Sequence, residues 1–302
     1  MLNTERPDWV PDFAQRSLLF EPLRAWAPAF VHYTRDWPGL EDYQRLLDAQ
    51  PVPILTQCGH VLKIVPQDRR PQRFEEHYAP RVYMTGELQT RSGNWHDFFQ
   101  FLSWLMFPKT KAVINALHVP LAEARIAAAS DSGRRSPLEN MLSLFDEGGA
   151  VVIASDASLL QLIREFRWKE LFWARREELA RNLRCITLGH AVYEKALHPY
   201  IGMTANAILL DVDQALLELP MTALLPALDE HLAALFTAGT AYAQPKHLQP
   251  LPILGMPGWD QANACATYYD NVRYFRPGRG QMACERVDDF AKKGVYSAYI
   301  SA

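Results

Sequence analysis

Between Asn94 and His118 the chain is apolar almost all round, with a thin polar line running through it. His96, Gln100 and Ser103 fall at i, i+4 and i+7; beyond Pro108, Lys111, Asn115 and His118 repeat that spacing. Positions so spaced share one stripe of an α-helix, and a helix that is apolar elsewhere is usually buried. The pattern predicts buried central helices around 94–118 whose polar stripe faces an internal pocket. Asn94 is the expected N-cap, and Asp97, at the third helical position, favours the open amides and the helix dipole. The first helix runs to about Phe107, and Pro108 opens the next.

Elsewhere the pattern is mixed. Leu40 to Ala49 predicts a helix with Leu40, Tyr43, Leu46 and Leu47 inward, stopped by Pro51 and Pro53. His60 to Val65 alternates and predicts a short strand. Gln67–Pro71 and Ser130–Ser136 are polar breaks, and Pro137 starts a helix. Tyr78 to Leu88 is extended or short helix. Phe145-Asp146-Glu147-Gly148-Gly149 reads as a turn before a buried strand at Val151 to Ala154. Leu159 to Arg181 is helical with a break near Trp168. Cys185 to Leu188 and Ala205 to Val212 are expected strands, with a helix from His190 to Leu197 between them. Gln214 to Phe236 is helical, interrupted at Pro220 and Pro226. Leu248 to Trp259 reads as an irregular surface segment, and Tyr268 to Phe275 as a last strand. Strands and helices do not alternate cleanly, so the expected fold is α+β: one helix-rich domain over 1–302 with a small mixed sheet. Residues 1–77 carry the weakest pattern, and 281–302 form a loosely packed tail.

Composition narrows the class without naming it. The chain has 302 residues, 49% of them apolar, enough for a substantial core. A formal net charge of -3 gives no basic bias toward nucleic acid. Cys58, Cys185, Cys265 and Cys284 form no C-x-x-C pair, which disfavours a disulfide framework or a cysteine zinc site and predicts buried free thiols. The first residues lack a basic stretch followed by an apolar one, and Phe98–Phe107 is too short to span a bilayer, so a cytoplasmic protein without membrane contact is expected.

Three groups could carry chemistry. His96, Asp97, Lys111, Asn115 and His118 combine imidazoles and a carboxylate with pocket polarity; buried, hydrogen-bonded histidines and a capping Asp97 are the plainer alternative. His190 and Glu194 lie one helical turn apart, which suits a metal or a catalytic imidazole oriented through its second nitrogen, though a local helix-start contact is commoner. Asp146 and Glu147 could give oxygen ligands, or be two solvated acids. Asp211-Val212-Asp213 follows an apolar run as in haloacid-dehalogenase-type phosphatases, but Gln214-Ala215 stands where Gly-Thr is needed, and Asp213 reads as a helix N-cap. Arg91, Lys109 and Lys111 could attract an anion, whereas Arg175-Arg176 with Glu177-Glu178 reads as a salt-bridged surface. Walker, G-x-S-x-G and H-E-x-x-H patterns are missing.

The block Asn94-Trp95-His96-Asp97-Phe98-Phe99, with Trp104, Phe107-Pro108-Lys109-Thr110-Lys111-Ala112, Asn115 and His118, resembles the uncharacterised bacterial domain-of-unknown-function family numbered thirty twenty-five. Leu144-Phe145-Asp146-Glu147, Phe172-Trp173 with Arg175-Arg176, Gly189-His190-Ala191 with Tyr193-Glu194-Lys195, and Pro252-Ile253-Leu254-Gly255 with Pro257-Gly258-Trp259 resemble its later blocks. The resemblance runs from about Tyr78 to Pro277 and implies no activity, so no catalytic role is carried over.

These readings give one leading expectation: a metal-dependent enzyme, a hydrolase of an unknown and perhaps anionic small molecule. His96, His118, His190, Glu194 and Asp146 are the candidate ligands of a divalent ion. Asp97 or Glu147 is the base, and Arg91, Lys111 and Asn115 hold substrate. Two alternatives stand beside it. One is a non-catalytic binding or scaffold protein meeting a partner at 251–259; the other is a metal-free acid–base enzyme using His190 and Glu194.

Overall fold

In chain order the elements are α1 (Leu40–Asp48), β1 (Lys63–Pro66), α2 (Tyr78–Thr85), β2 (Glu87–Thr90), α3 (Trp95–Met106), α4 (Pro108–Ala127), α5 (Pro137–Gly148), β3 (Gly149–Ala154), α6 (Ala157–Arg164), α7 (Arg176–Asn182), β4 (Leu183–Thr187), α8 (His190–Ala196), β5 (Thr204–Asp211), α9 (Gln214–Leu217), α10 (Met221–Ala238), β6 (Gln249–Pro252) and β7 (Asp288–Asp289). The computed structural model describes residues 8–67, 71–127, 134–239 and 241–278, with the main chain of 288–289. Parts of the polar stretches at 67–71 and 130–136, Cys284 and most of the tail fall outside these residues.

The fold is α+β. A mixed sheet has strand order β4-β3-β5-β6, and the two residues of β7 pair parallel to Leu210 and Asp211 of β5. β3 runs antiparallel to β4 and parallel to β5, with Val151 opposite both Ile186 and Ile208. β3 is buried at every position, which is why its Gly-Ala-Val-Val-Ile-Ala sequence has no polar alternation. β1 and β2 form a separate parallel pair, Lys63 opposite Glu87.

α3 is the centre of the helical layer. Asn94 Oδ1 accepts from the Asp97 amide at 3.0 Å, so the cap forms as its residue type dictates. Nearly every side chain of α3 is buried. The N-terminal segment, weakest in pattern, packs an aromatic sheath around it: Trp9 stacks on Trp95 at 4.8 Å and Tyr43 on Phe101 at 5.1 Å between ring centroids. Aromatic identity, not periodicity, places that segment in the core.

Five expectations need correction. Residues 145–148 are not a turn but the last turn of α5, which runs directly into β3. A Cβ on Gly149 would lie 2.2 Å from the Phe145 carbonyl oxygen, so only glycine allows this junction. Pro226, like Pro120, sits inside an unbroken helix; each removes one amide bond, and the leucine-rich faces of α10 bury enough apolar surface to offset it. Residues 251–256 are buried, so this stretch is not a surface segment. Ala266–Asp270 is a short 3₁₀ turn, where a strand was expected. There Tyr269 Oη donates toward the Gly255 carbonyl, and Tyr274 Oη reaches the Met203 carbonyl at 2.6 Å. Of the free cysteines described, Cys58 and Cys265 are exposed and Cys185 is half-buried. Among the described residues no helix is long and apolar enough to cross a membrane.

Candidate functional site

The polar stripe predicted on α3 and α4 lines a cavity of about 590 Å³, to which His96 and Gln100 contribute from α3 and Lys111, Asn115 and His118 from α4. Asp146 and Glu147 from α5 and His190 from α8 complete that wall. Ser103 is on the stripe but turns its hydroxyl to the Leu188 carbonyl at 2.9 Å, tying α3 to the segment that starts α8.

The approach of α8 to α5 depends on Gly189. A Cβ there would meet the Glu147 carbonyl oxygen and the Gly149 nitrogen at 2.5 Å. Leu188 and Gly189 both donate their amides to the Gly149 carbonyl, at 3.0 and 2.9 Å. Two sequence blocks, Phe145–Gly149 and Gly189–Glu194, are thereby one packed unit, and it sets His190 on the cavity wall beside Asp146.

His96 joins α3 to α8 twice. Its Nδ1 lies 3.0 Å from Glu194 Oε2, and its Nε2 lies 3.1 Å from His190 Nε2. The rings are perpendicular, with centroids 4.4 Å apart. A carboxylate can only accept, so Nδ1 of His96 carries a proton. The hydrogen bond that His96 donates to Glu194 raises its pKa above the ordinary value, against burial. Burial drives His190 the other way, down to about 3, with the Asp146 carboxylate and main-chain carbonyl opposing and the Lys111 and His96 charges assisting. When the pair takes up a proton, the charge therefore rests on His96, and His190 stays the neutral acceptor.

Lys111 forms an ion pair with Asp146 in which the lysine side chain is only 3% exposed. Burial pushes the Asp146 carboxyl up, but the charge and hydrogen bond of Lys111 outweigh it and hold the pKa below the usual range. Lys111 Nζ also sits 5.6 Å above the Trp104 ring, whose Nε1 donates to Tyr78 Oη at 3.1 Å. Burial depresses His118. Two buried polar atoms of this wall have no hydrogen-bond partner: His190 Nδ1 and Asn115 Oδ1. Asn115 Nδ2 is engaged with the Ala79 carbonyl at 3.1 Å.

The predicted residues divide in a definite way. His96, His190 and Glu194 meet; Lys111 and Asp146 meet; His118 and Asn115 share the cavity with them. Glu147 is exposed at the cavity lip. Arg91 and Asp97 do not line it: the Arg91 amide, Nε and Nη2 all bond the Asp97 carboxylate, at 2.7, 2.9 and 2.7 Å. Arg91 nonetheless lies near enough for the Glu194 charge to act on it. Among the described residues, no group of three or more His, Cys, Asp or Glu side chains is placed to hold a metal ion.

Sequence reasoning missed Tyr78, Trp104 and the Arg125–Glu139 pair, joined at 3.1 Å on the far wall. Those two residues are 14 apart and stand on different helices, α4 and α5, so no helical spacing announces the pair. Tyr78 lies in a stretch whose pattern fits strand and helix alike.

No curated protein and no solved structure matches the chain. A family model described as a protein of unknown function, DUF3025, matches residues 62–279, which include every cavity residue named above, and the chain belongs to that family.

Proposed function

We propose that this protein is an enzyme, a hydrolase of a small anionic molecule, in which the His96–His190 pair acts as the general base. The observation that carries this is the chain Glu194–His96–His190 opening on a cavity of ligand size. With His96 Nδ1 donating to Glu194 and one proton shared by the two Nε2 atoms, a proton taken from water enters the pair at the unpartnered Nδ1 of His190 while the shared proton passes to His96, whose imidazolium Glu194 stabilises. His190, kept neutral by burial, accepts a hydrogen bond from that imidazolium without competing for the charge. Lys111 and Arg135, both on the cavity wall, give cationic contacts for an anionic group. Asn115 Oδ1 is a free acceptor for a substrate N–H or O–H.

A screen of p-nitrophenyl carboxylate and phosphate esters between pH 6 and 9 tests the proposal. Turnover reduced on the order of 10²–10⁴-fold by His96→Ala is expected, with a smaller loss and a displaced acid limb for Glu194→Gln. Turnover equal in wild type and His96→Ala removes the proposal. So does a silent screen in which small anions leave the His96 and His190 imidazole resonances unmoved.

A second reading rests on the two facing Nε2 atoms. Two imidazoles bound to one divalent ion at about 2.0–2.1 Å place their nitrogens only slightly farther apart than the 3.1 Å seen. The ion would lower the pKa of water in place of the base. Elemental analysis of untagged protein separates the two: stoichiometric metal, lost in His96→Ala and His190→Ala, supports the metal reading. The scaffold reading gains nothing from 251–256, which are packed inside.

A further inference from the structure

The cavity that holds His96 and His190 is long, and its two ends differ. α4 and α5 run antiparallel along it, tied at one end by Lys111–Asp146 and at the other by Arg125–Glu139. Those pairs neutralise each other's charges. Arg135 and Glu147 are the charged side chains, histidines aside, that remain on the lining, and among the described residues neither makes an ion pair or a side-chain hydrogen bond. Arg135 stands just before α5 begins, and Glu147 lies in its last turn. From Pro137 to Glu147 the helix rises about 15 Å. A free cation and a free carboxylate therefore mark opposite ends of a cavity of about 590 Å³.

Between those ends the wall offers the hydrogen bonds that a peptide needs. Asn115, 5% exposed, has Oδ1 without a partner, while its Nδ2 donates to the Ala79 carbonyl at 3.1 Å. Turning that amide over would set two acceptors face to face, so the side chain presents an acceptor alone, which an N–H satisfies. Gln100, one turn beyond His96 on the same stripe, makes no hydrogen bond among the described residues and offers both a donor and an acceptor. Phe74, Ile114 and Ala122 add apolar surface. An extended peptide presents N–H and C=O groups in alternation, and about four residues cover the span between the two charges.

We propose that the substrate of this cavity is a short peptide lying extended along α4 and α5, its terminal carboxylate at Arg135, its ammonium end at Glu147 and one amide N–H on Asn115 Oδ1. This rests on the hydrolase reading above, and the peptide's carboxylate is the anionic group of that reading. Water adds to the peptide carbonyl nearest His190 and the C–N bond breaks. One proton of the water ends on the leaving nitrogen and the other goes with the new carboxyl group, so no further reactant is needed. The bond cut is the one nearest the amino end, because His190 and Glu147 stand at the same end of α5.

Calorimetric titration of tetra-alanine into His96→Ala, with His190→Gln as a second protein impaired in turnover, tests it. One saturable site is expected. Tetra-alaninamide, which lacks the carboxylate, binds about tenfold more weakly. Arg135→Gln, added to either protein, weakens tetra-alanine about tenfold and tetra-alaninamide by less than about twofold. Among analogues with one amide each replaced by an ester, one loses about tenfold, and Asn115→Leu abolishes that difference. Glu147→Gln weakens tetra-alanine about threefold and leaves its N-acetyl form unchanged. Wild type releases alanine from tetra-alanine. The proposal is overturned by absence of saturable uptake in both proteins, by uptake indifferent to the terminal carboxylate and to Arg135→Gln, or by ester analogues that all bind as the parent does. Turnover of p-nitrophenyl esters that is lost in His96→Ala, with no peptide uptake, keeps the hydrolase reading and overturns this one. Peptide uptake with these dependences and no release of alanine upholds the peptide as the ligand and removes the hydrolysis.

Discussion

His96 and His190 bring their Nε2 atoms to 3.1 Å, a separation at which one proton must lie between two nitrogens, since two lone pairs or two N–H groups would repel. Glu194 and burial decide its position by acting on opposite partners. Nitrogen-15 spectra of the imidazoles should show His96 protonating above its ordinary pKa and His190 neutral throughout mildly acid pH. Glu194→Gln should bring the His96 midpoint down while leaving His190 unprotonated. A pair titrating together near 6.5, indifferent to Glu194, would sink this assignment.

The same asymmetry makes stability depend on pH. His190 has its folded pKa depressed, so the unfolded chain takes up a proton that the folded one refuses. Stability is full above about 6.5 and falls as pH drops toward about 3. His96, raised, acts in the reverse sense: its contribution is present below about 6.5 and fades as pH rises through its folded value. The unfolding free energy of wild type in urea should fall between pH 6.5 and 4.5, before most carboxylates titrate, by an amount of order 1–3 kcal/mol. His190→Gln should flatten that limb.

Lys111 and Asp146 form a buried pair on the cavity wall. Removing one partner leaves the other charge without compensation, which costs about 3–5 kcal/mol. Lys111→Met is expected to lower the free energy of unfolding in urea by that amount. Replacing both, as Lys111→Met with Asp146→Leu, should recover most of it. A single substitution without effect would mean the pair is solvated.

Gly189→Ala places a methyl group against the main chain of Glu147 and Gly149. Main chain at a helix–strand junction cannot turn aside as a flexible side chain can. A destabilisation of about 3 kcal/mol is expected, with the His96–His190 coupling weakened because α8 moves off α5. Circular dichroism melts and the imidazole spectra read the two effects separately.

The polar stripe was legible because a buried helix leaves so few reasons for a polar residue. His96, Gln100, Lys111, Asn115 and His118 all reach the cavity that their spacing implied. Pairings were not legible. Asp97 reads as a helix-start carboxylate or a catalytic base, yet Arg91, held in place by the turn before α3, takes both of its oxygens. His190 and Glu194 share a helix face, but the partner that Glu194 holds is His96, 98 residues away. The block at 145–149 reads as a turn because it ends in two glycines; Gly148 instead leaves room for Asn206 of β5 and Gly149 for the Phe145 carbonyl, at a direct helix-to-strand junction. Residues 9–30 hid their place in the core, since short 3₁₀ turns bury aromatic rings without a lasting period.

The amides that open α4 are satisfied from far downstream. Lys109 and Thr110 donate to Asp229, at separations of 120 and 119 residues, and burial of that carboxylate raises its pKa against those bonds. A ribosome delivers α4 long before it delivers the group that finishes it. One wall of the cavity can therefore settle only after translation has passed Asp229, and a chain cut short of that point would carry Lys111, Asn115 and His118 on an unanchored scaffold.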